Sequence, residues 1–137
     1  MQTNVLKKKL KEGKVCFGTF VRLGPRAVEI LGHAGWDFAV FDMEHGVFDF
    51  TQVEEMARAA RGAGISSLVR VPEPNPSHIM RAVDAGAEGV KIPQVETAPR
   101  AKTMSQAARY FTEGKRCLCS YVRAAGYSNT PPEEHMA

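Results

Sequence analysis

The chain has 137 residues, a net charge of +3, 44% hydrophobic and 24% charged residues. That is one domain's worth of chain with enough apolar material to bury a core, which excludes a disordered segment. The basic residues are scattered apart from Lys7, Lys8 and Lys9, so no nucleic-acid face is expected, and that run reads as the solvated side of a short leading helix.

Short apolar runs alternate with helical patterns, and no Asn-Gly or Asp-Gly joins two alternating strands, which argues against hairpins. Residues 15–20 read as a first strand. Pro25 suits a helix's first turn, where its missing N–H costs nothing; Val28, Leu31 and Ala34 follow at helical spacing, and Gly35 stops the helix. Residues 37–41 are apolar nearly throughout, as in a strand covered on both faces of a parallel sheet. Thr51-Gln52-Val53-Glu54 fits a capping box opening a helix with the stripe Val53, Met56, Ala57 and Ala60, closed by Gly62 and Gly64. Residues 65–71 form a third strand. Asn75-Pro76 opens a third helix with Ile79, Met80 and Val83 as its apolar side and Gly86 at its end. Residues 89–92 make a short fourth strand, and Thr97 begins a helix running to about residue 109. Beyond Tyr110 the pattern weakens: residues 118–122 read as a short strand, and Thr130-Pro131-Pro132-Glu133-Glu134 as the opening of a further helix.

Regular β-α alternation with short connections implies right-handed crossovers and a parallel sheet. An open doubly wound sheet and part of a (β/α)8 barrel both satisfy it. A whole barrel needs about 250 residues, so the length favours half of one, about four βα units.

Cys16, Cys117 and Cys119 form neither a disulfide framework nor a zinc site and are expected to be buried or half-buried free thiols. No apolar run reaches the roughly 18 residues of a membrane span, and no signal-peptide pattern occurs, so a cytoplasmic protein is expected. No G-x-G-x-x-G follows a strand, which leaves a dinucleotide site unsupported.

In either architecture, sites form at the C-terminal ends of parallel strands. Strand two runs into Asp42-Met43-Glu44-His45-Gly46, strand three ends at Arg70-Val71-Pro72, and strand four ends at Pro93-Gln94. An imidazole such as that of His45 can take and return a proton; Asp42 and Glu44 could orient it. Arg70, closing an apolar strand, suits a carboxylate or a developing oxyanion. The competing readings are a surface histidine among solvated acids and a structural ion pair. Asp84, read alone, is a helix-end aspartate, and His33, His78 and His135 are expected to face solvent.

Gly18-Thr19-Phe20, Ala34-Gly35-Trp36-Asp37, Phe41-Asp42-Met43-Glu44-His45-Gly46, Val69-Arg70-Val71-Pro72, Asp84-Ala85-Gly86-Ala87 and Ile92-Pro93-Gln94-Val95 occur in the order found in HpcH/HpaI aldolases. Ser120-Tyr121-Val122-Arg123-Ala124-Ala125 resembles the next block. The resemblance runs from about residue 5 to 129. It implies the N-terminal half of a (β/α)8 barrel, truncated before the metal-binding strands, and a metal-dependent class II aldolase cleaving 4-hydroxy-2-oxo acids to pyruvate and an aldehyde. By resemblance, His45 is the acid/base, Asp84 raises its basicity, and Arg70 stabilises the enolate oxygen. A divalent ion (Mg2+, Mn2+ or Co2+) is implied, its ligands lying beyond this chain, with a small 2-oxo acid as substrate, no nucleic-acid or membrane partner, and a homo-oligomer. Two other readings remain: a non-catalytic half-barrel that assembles with itself or another chain, and a citryl-CoA-type lyase, for which no basic CoA-phosphate cluster is evident.

Overall fold

A computed structural model describes residues 4–136 of the chain. The leading basic run is a helix, α1 (Val5–Lys11), capped by Asn4, whose side chain accepts from Lys7 N. It is tied beneath the sheet by long-range polar bonds: Asn4 Nδ2 donates to the Glu88 carbonyl at 2.9 Å, and Lys9 Nζ meets Asp37 at 2.5 Å. Asp37 also accepts from Phe17 N at 2.8 Å. The neighbouring Lys9 ammonium holds the Asp37 carboxyl below the usual carboxylate range, as expected where hydrogen bonds favour the charged form.

Next come β1 (Gly18–Val21), α2 (Pro25–His33), β2 (Phe38–Asp42), α3 (Phe50–Gly62), β3 (Ser66–Arg70), α4 (Pro76–Asp84), β4 (Gly89–Lys91) and α5 (Ala98–Ala107). Among the described residues, the four strands form one parallel sheet in the order β1-β2-β3-β4. Sequential order with a helix between each pair is the half-barrel arrangement; a doubly wound sheet would reverse its order at a switch point.

The helix N-termini follow from local chemistry. Pro25 and Pro76 sit in the first turns of α2 and α4, and the Asn75 side chain accepts from Ser77 N. Thr97 caps α5 as expected. The cap of α3 lies two residues before the expected one. Asp49 accepts from Gln52 N, Gln52 answers to Asp49 N, and Thr51 is already helical. An aspartate accepts as well as threonine at this position, and starting there keeps Phe50 against the core.

The core lies between the sheet and its helices. Val28, Phe41, Val53, Met56, Val69, Val71 and Ile79 are fully buried, each contributing roughly 1.5–3 kcal/mol of transfer free energy. On α4 the inward pair is Ile79 and Ala82, whereas Met80 and Val83 are half-buried. The opposite sheet face is less covered: Phe20 remains 43% exposed and pairs in register with Val40, which pairs with Leu68.

The first strand starts later than its hydrophobicity suggests. Val15 and Phe17 are exposed and precede the ladder. Residues 118–122 form no strand; they lead into a 3-10 turn at Arg123–Ala125. A last helix, α6 (Pro132–Met136), follows. Cys117 and Cys119 are exposed and only Cys16 is half-buried, because the segment carrying the pair runs over the surface. Among the described residues, no helix is long and apolar enough to cross a membrane.

Candidate active site

Register builds the site. Asp42 ends β2 opposite Arg70, and Arg70 sits opposite Lys91. Three strands thus present three charged side chains in one row at their C-terminal ends. Arg70 Nε donates to Asp42 Oδ1 at 2.9 Å and Nη2 to Oδ2 at 2.7 Å, the bidentate fork a guanidinium makes best. The side chains are 17% and 2% exposed. Arg70 holds the Asp42 carboxyl below its ordinary value, and Asp42 in turn raises the guanidinium's.

Asp42 also shapes the turn that follows. Its Oδ1 accepts from the backbone N–H groups of Glu44 and His45, each at 3.2 Å, an Asx-type local turn. Gly46 completes it: a Cβ there would stand 2.0 Å from the Asp42 carbonyl oxygen, so only glycine lets the chain pass so close. The result lifts His45 out, with 64% of its side chain exposed. Glu44 turns inward and meets Arg70 Nη1 at 3.1 Å; its other carboxylate contact is the His45 Nε2, at 3.9 Å.

Arg70 and His45, both singled out in the sequence, are therefore brought to one rim around Asp42 and Glu44. Residues the sequence reading passed over join them. The Phe20 ring lies under both Arg70 (4.6 Å) and Lys91 (4.7 Å), a cation–π clamp that ties β1 to β3 and β4. Arg22 comes within 3.9 Å of Asp42. Register and the alternation of strand faces carried the signal for Phe20 and Lys91. Just past β4, the rim residue Gln94 holds a left-handed backbone (φ 52°).

Asp84 is not brought to this group. It ends α4, where Arg116 grips its carboxylate at 2.5 Å, and Arg116 stacks on Tyr110 (4.4 Å). A helix antiparallel to the strands ends toward their N-terminal side, which is why one chain keeps Asp84 from His45. Two of the other histidines depart from a solvent-facing role. His78 packs on Phe50 with its Nδ1 sealed, and His135 Nε2 lies 2.7 Å from the Tyr110 hydroxyl. His33 is exposed as expected.

No group of three His, Cys, Asp or Glu side chains among the described residues could hold a metal ion. Asp42 and Glu44 are both engaged by Arg70, so the donors present do not fit a metal's ligand set.

Comparison with known proteins agrees with this architecture. The family model for "HpcH/HpaI aldolase/citrate lyase" matches residues 17–131; this family generally depends on a divalent metal. A hydroxypyruvate/pyruvate aldolase of Paraburkholderia phytofirmans is 38% identical over 132 residues, spanning 91% of this chain and 51% of that protein. A 4-hydroxy-2-oxovalerate aldolase of Novosphingobium aromaticivorans is 36% identical, over 96% and 51%. The crystal structure of an HpcH/HpaI aldolase/citrate lyase family protein from Burkholderia cenocepacia superposes with a TM-score of 0.86 at 33% identity, over 93% and 52%. The chain thus spans about half the length of the relatives it matches. With four parallel βα units in barrel order and a match across nearly all of its length, the chain belongs to the HpcH/HpaI aldolase/citrate lyase family.

Proposed function

We propose that this chain carries the proton-transfer and enolate-oxygen side of a carbon–carbon lyase acting on small 4-hydroxy-2-oxo acids. In the cleavage direction, His45 takes the proton of the C4 hydroxyl. The C3–C4 bond then breaks, the aldehyde leaves, and its electron pair forms the pyruvate enolate. His45 returns a proton to C3, which gives pyruvate. Arg70 faces the enolate oxygen. Its bonds to Asp42 and Glu44 use three of its five N–H groups and leave one on each terminal nitrogen for an anionic oxygen. The scheme involves only residues of this chain, and Asp84 has no part in it within one chain. The observation that carries the reading is the shared frame: Asp42 fixes Arg70 through its carboxylate and His45 through the backbone.

The test is a fusion of residues 1–131 to the C-terminal half of the P. phytofirmans relative, assayed with added Mn2+ for pyruvate release. Turnover should appear and fall at least about 100-fold in His45→Ala, the scale of general acid–base catalysis. A folded, inactive fusion, or an undiminished variant, would contradict the reading. The 137-residue chain by itself should show no turnover in the same assay.

A second reading, a non-catalytic half-barrel that pairs with another copy, has one observation in its favour: β1 and β4 each keep an unpaired edge among the described residues, and open edges invite pairing. Light scattering separates the two, since a monomer with a cooperative melt contradicts pairing.

A further inference from the structure

A cavity of about 410 Å³ is walled by the start of α3, the end of α4 and residues 121–127. Its lining shares no residue with the Asp42–Arg70–His45 group. That size falls within the range of small-molecule sites.

The charges in this cavity are unevenly matched. Its two acids are already engaged: Glu54 by Arg58 and by the Tyr127 hydroxyl at 3.1 Å, Asp84 by Arg116. Its two guanidiniums are not. Neither Arg81 nor Arg123 has a carboxylate within ion-pair distance among the described residues. Arg81 lies over the Phe50 ring at 4.2 Å. Arg123 is only 9% exposed and makes no side-chain hydrogen bond among the described residues.

A buried guanidinium with no counter-charge is costly, and such groups are ordinarily paired. Its environment makes matters worse: burial first, then the Arg61 charge, pushes the Arg123 guanidinium below its usual range. The arginine is also deliberately seated. Gly86, at φ +98°, leaves the space its Nη1 fills, and a Cβ there would approach that nitrogen to 2.2 Å. Unlike Arg116 Nε, no Arg123 nitrogen is both sealed and orphaned, so the group stays reachable from the cavity. At the mouth, Tyr121 and Tyr127 are 80% and 56% exposed, offering flat apolar surface beside the unpaired charges.

We propose that this cavity binds a small organic oxyanion, its phosphate or carboxylate head on Arg123 and Arg81 and its carbon body along Tyr121 and Tyr127. Oxyanion heads suit forked guanidinium donors, and aromatic walls suit a flat body.

Calorimetry on the chain at matched ionic strength, with inorganic phosphate and with phenyl phosphate as probes, tests this. Phenyl phosphate should bind saturably, at least about tenfold tighter than phosphate, a difference of 1.4 kcal/mol. Arg81 is exposed, so Arg81→Ala should fold normally and weaken both probes about tenfold or more. Tyr121→Ala should weaken phenyl phosphate and leave phosphate unchanged. Equal affinity for the two probes would reassign the site to inorganic anions and overturn the organic-ligand part. No saturable binding to the folded chain, or unchanged affinity in Arg81→Ala, would overturn the proposal. Arg123→Lys, checked for a native melt, should also lose affinity, because an ammonium cannot reproduce the fork.

Discussion

Asp42→Asn isolates the charge that organises the rim. The side chain keeps its size and one acceptor oxygen, so the backbone N–H groups of Glu44 and His45 can still be served. What is lost is the negative charge beneath a bidentate guanidinium and the acceptor at 2.7 Å from Nη2. Breaking one partner out of a buried pair costs about 3–5 kcal/mol. Here Arg70 retains Glu44 at 3.1 Å and is 17% exposed at an open rim, which brings the expected cost below that range, to about 2–3 kcal/mol. For a domain of this size that is a melting shift of roughly 7–10 °C. Because Arg70 depresses the Asp42 pKa, the pair's contribution is present above the ordinary carboxylate value of 3.8 and is lost as pH falls through the depressed folded value. The difference between wild type and variant should therefore narrow in acid. Replacing both partners, as in Asp42→Leu with Arg70→Met, should be less harmful than the sum of the single losses, since no unpaired charge remains. Urea melts at several pH values measure all of this. A cost below about 0.5 kcal/mol, the range of an ordinary surface change, or strictly additive losses in the double variant, would refute the reasoning.

Asp49→Ala removes half of the α3 capping box and should cost about 1 kcal/mol by chemical denaturation; Thr51→Ala, inside the helix, should cost little. Gly46→Ala forces a Cβ against the Asp42 carbonyl and should destabilise by about 1–3 kcal/mol, with a shift of the His45 imidazole resonances by NMR. Burial, then the Arg116 charge, lowers the His135 pKa below 6.5. That residue's contribution is thus full above 6.5 and is lost as pH falls through its lower folded value. His135→Gln should flatten this acid-side part of the melting-temperature profile.

What was legible in the sequence was what local chemistry decides. Asn75-Pro76, Pro25, Thr97 and the Gly35 stop each act on backbone groups within a few residues, so their helices could be placed without the fold. The strand ends that carry Asp42, His45 and Arg70 were legible for a related reason: apolar runs stop where the sheet reaches solvent. Misplacements arose where two local signals competed or where pairing decided. Asp49-x-x-Gln52 and Thr51-x-x-Glu54 both fit a capping box, and only the packing of Phe50 separates them. Residues 15–17 and 118–122 are apolar enough for strands, but among the described residues 118–122 join no sheet and the first segment bonds to β2 only through the Phe17 carbonyl, just ahead of the ladder. The Asp42–Arg70 fork joins residues 28 apart, and the Phe20 clamp depends on register across four strands. Asp84 entered through resemblance alone, and the fold gives its carboxylate to Arg116, a partner that sequence spacing does not reveal.

Proton transfer by His45 is the central claim, and hydrogen–deuterium exchange at the pyruvate methyl group reads it without an aldehyde partner or carbon–carbon bond cleavage. In the fusion with the relative's C-terminal half, in D2O with Mn2+, the methyl proton signal should decay enzymatically. His45→Ala should slow that decay at least about 100-fold while pyruvate binding is retained. Exchange at the parent rate in a folded His45→Ala protein would contradict the account.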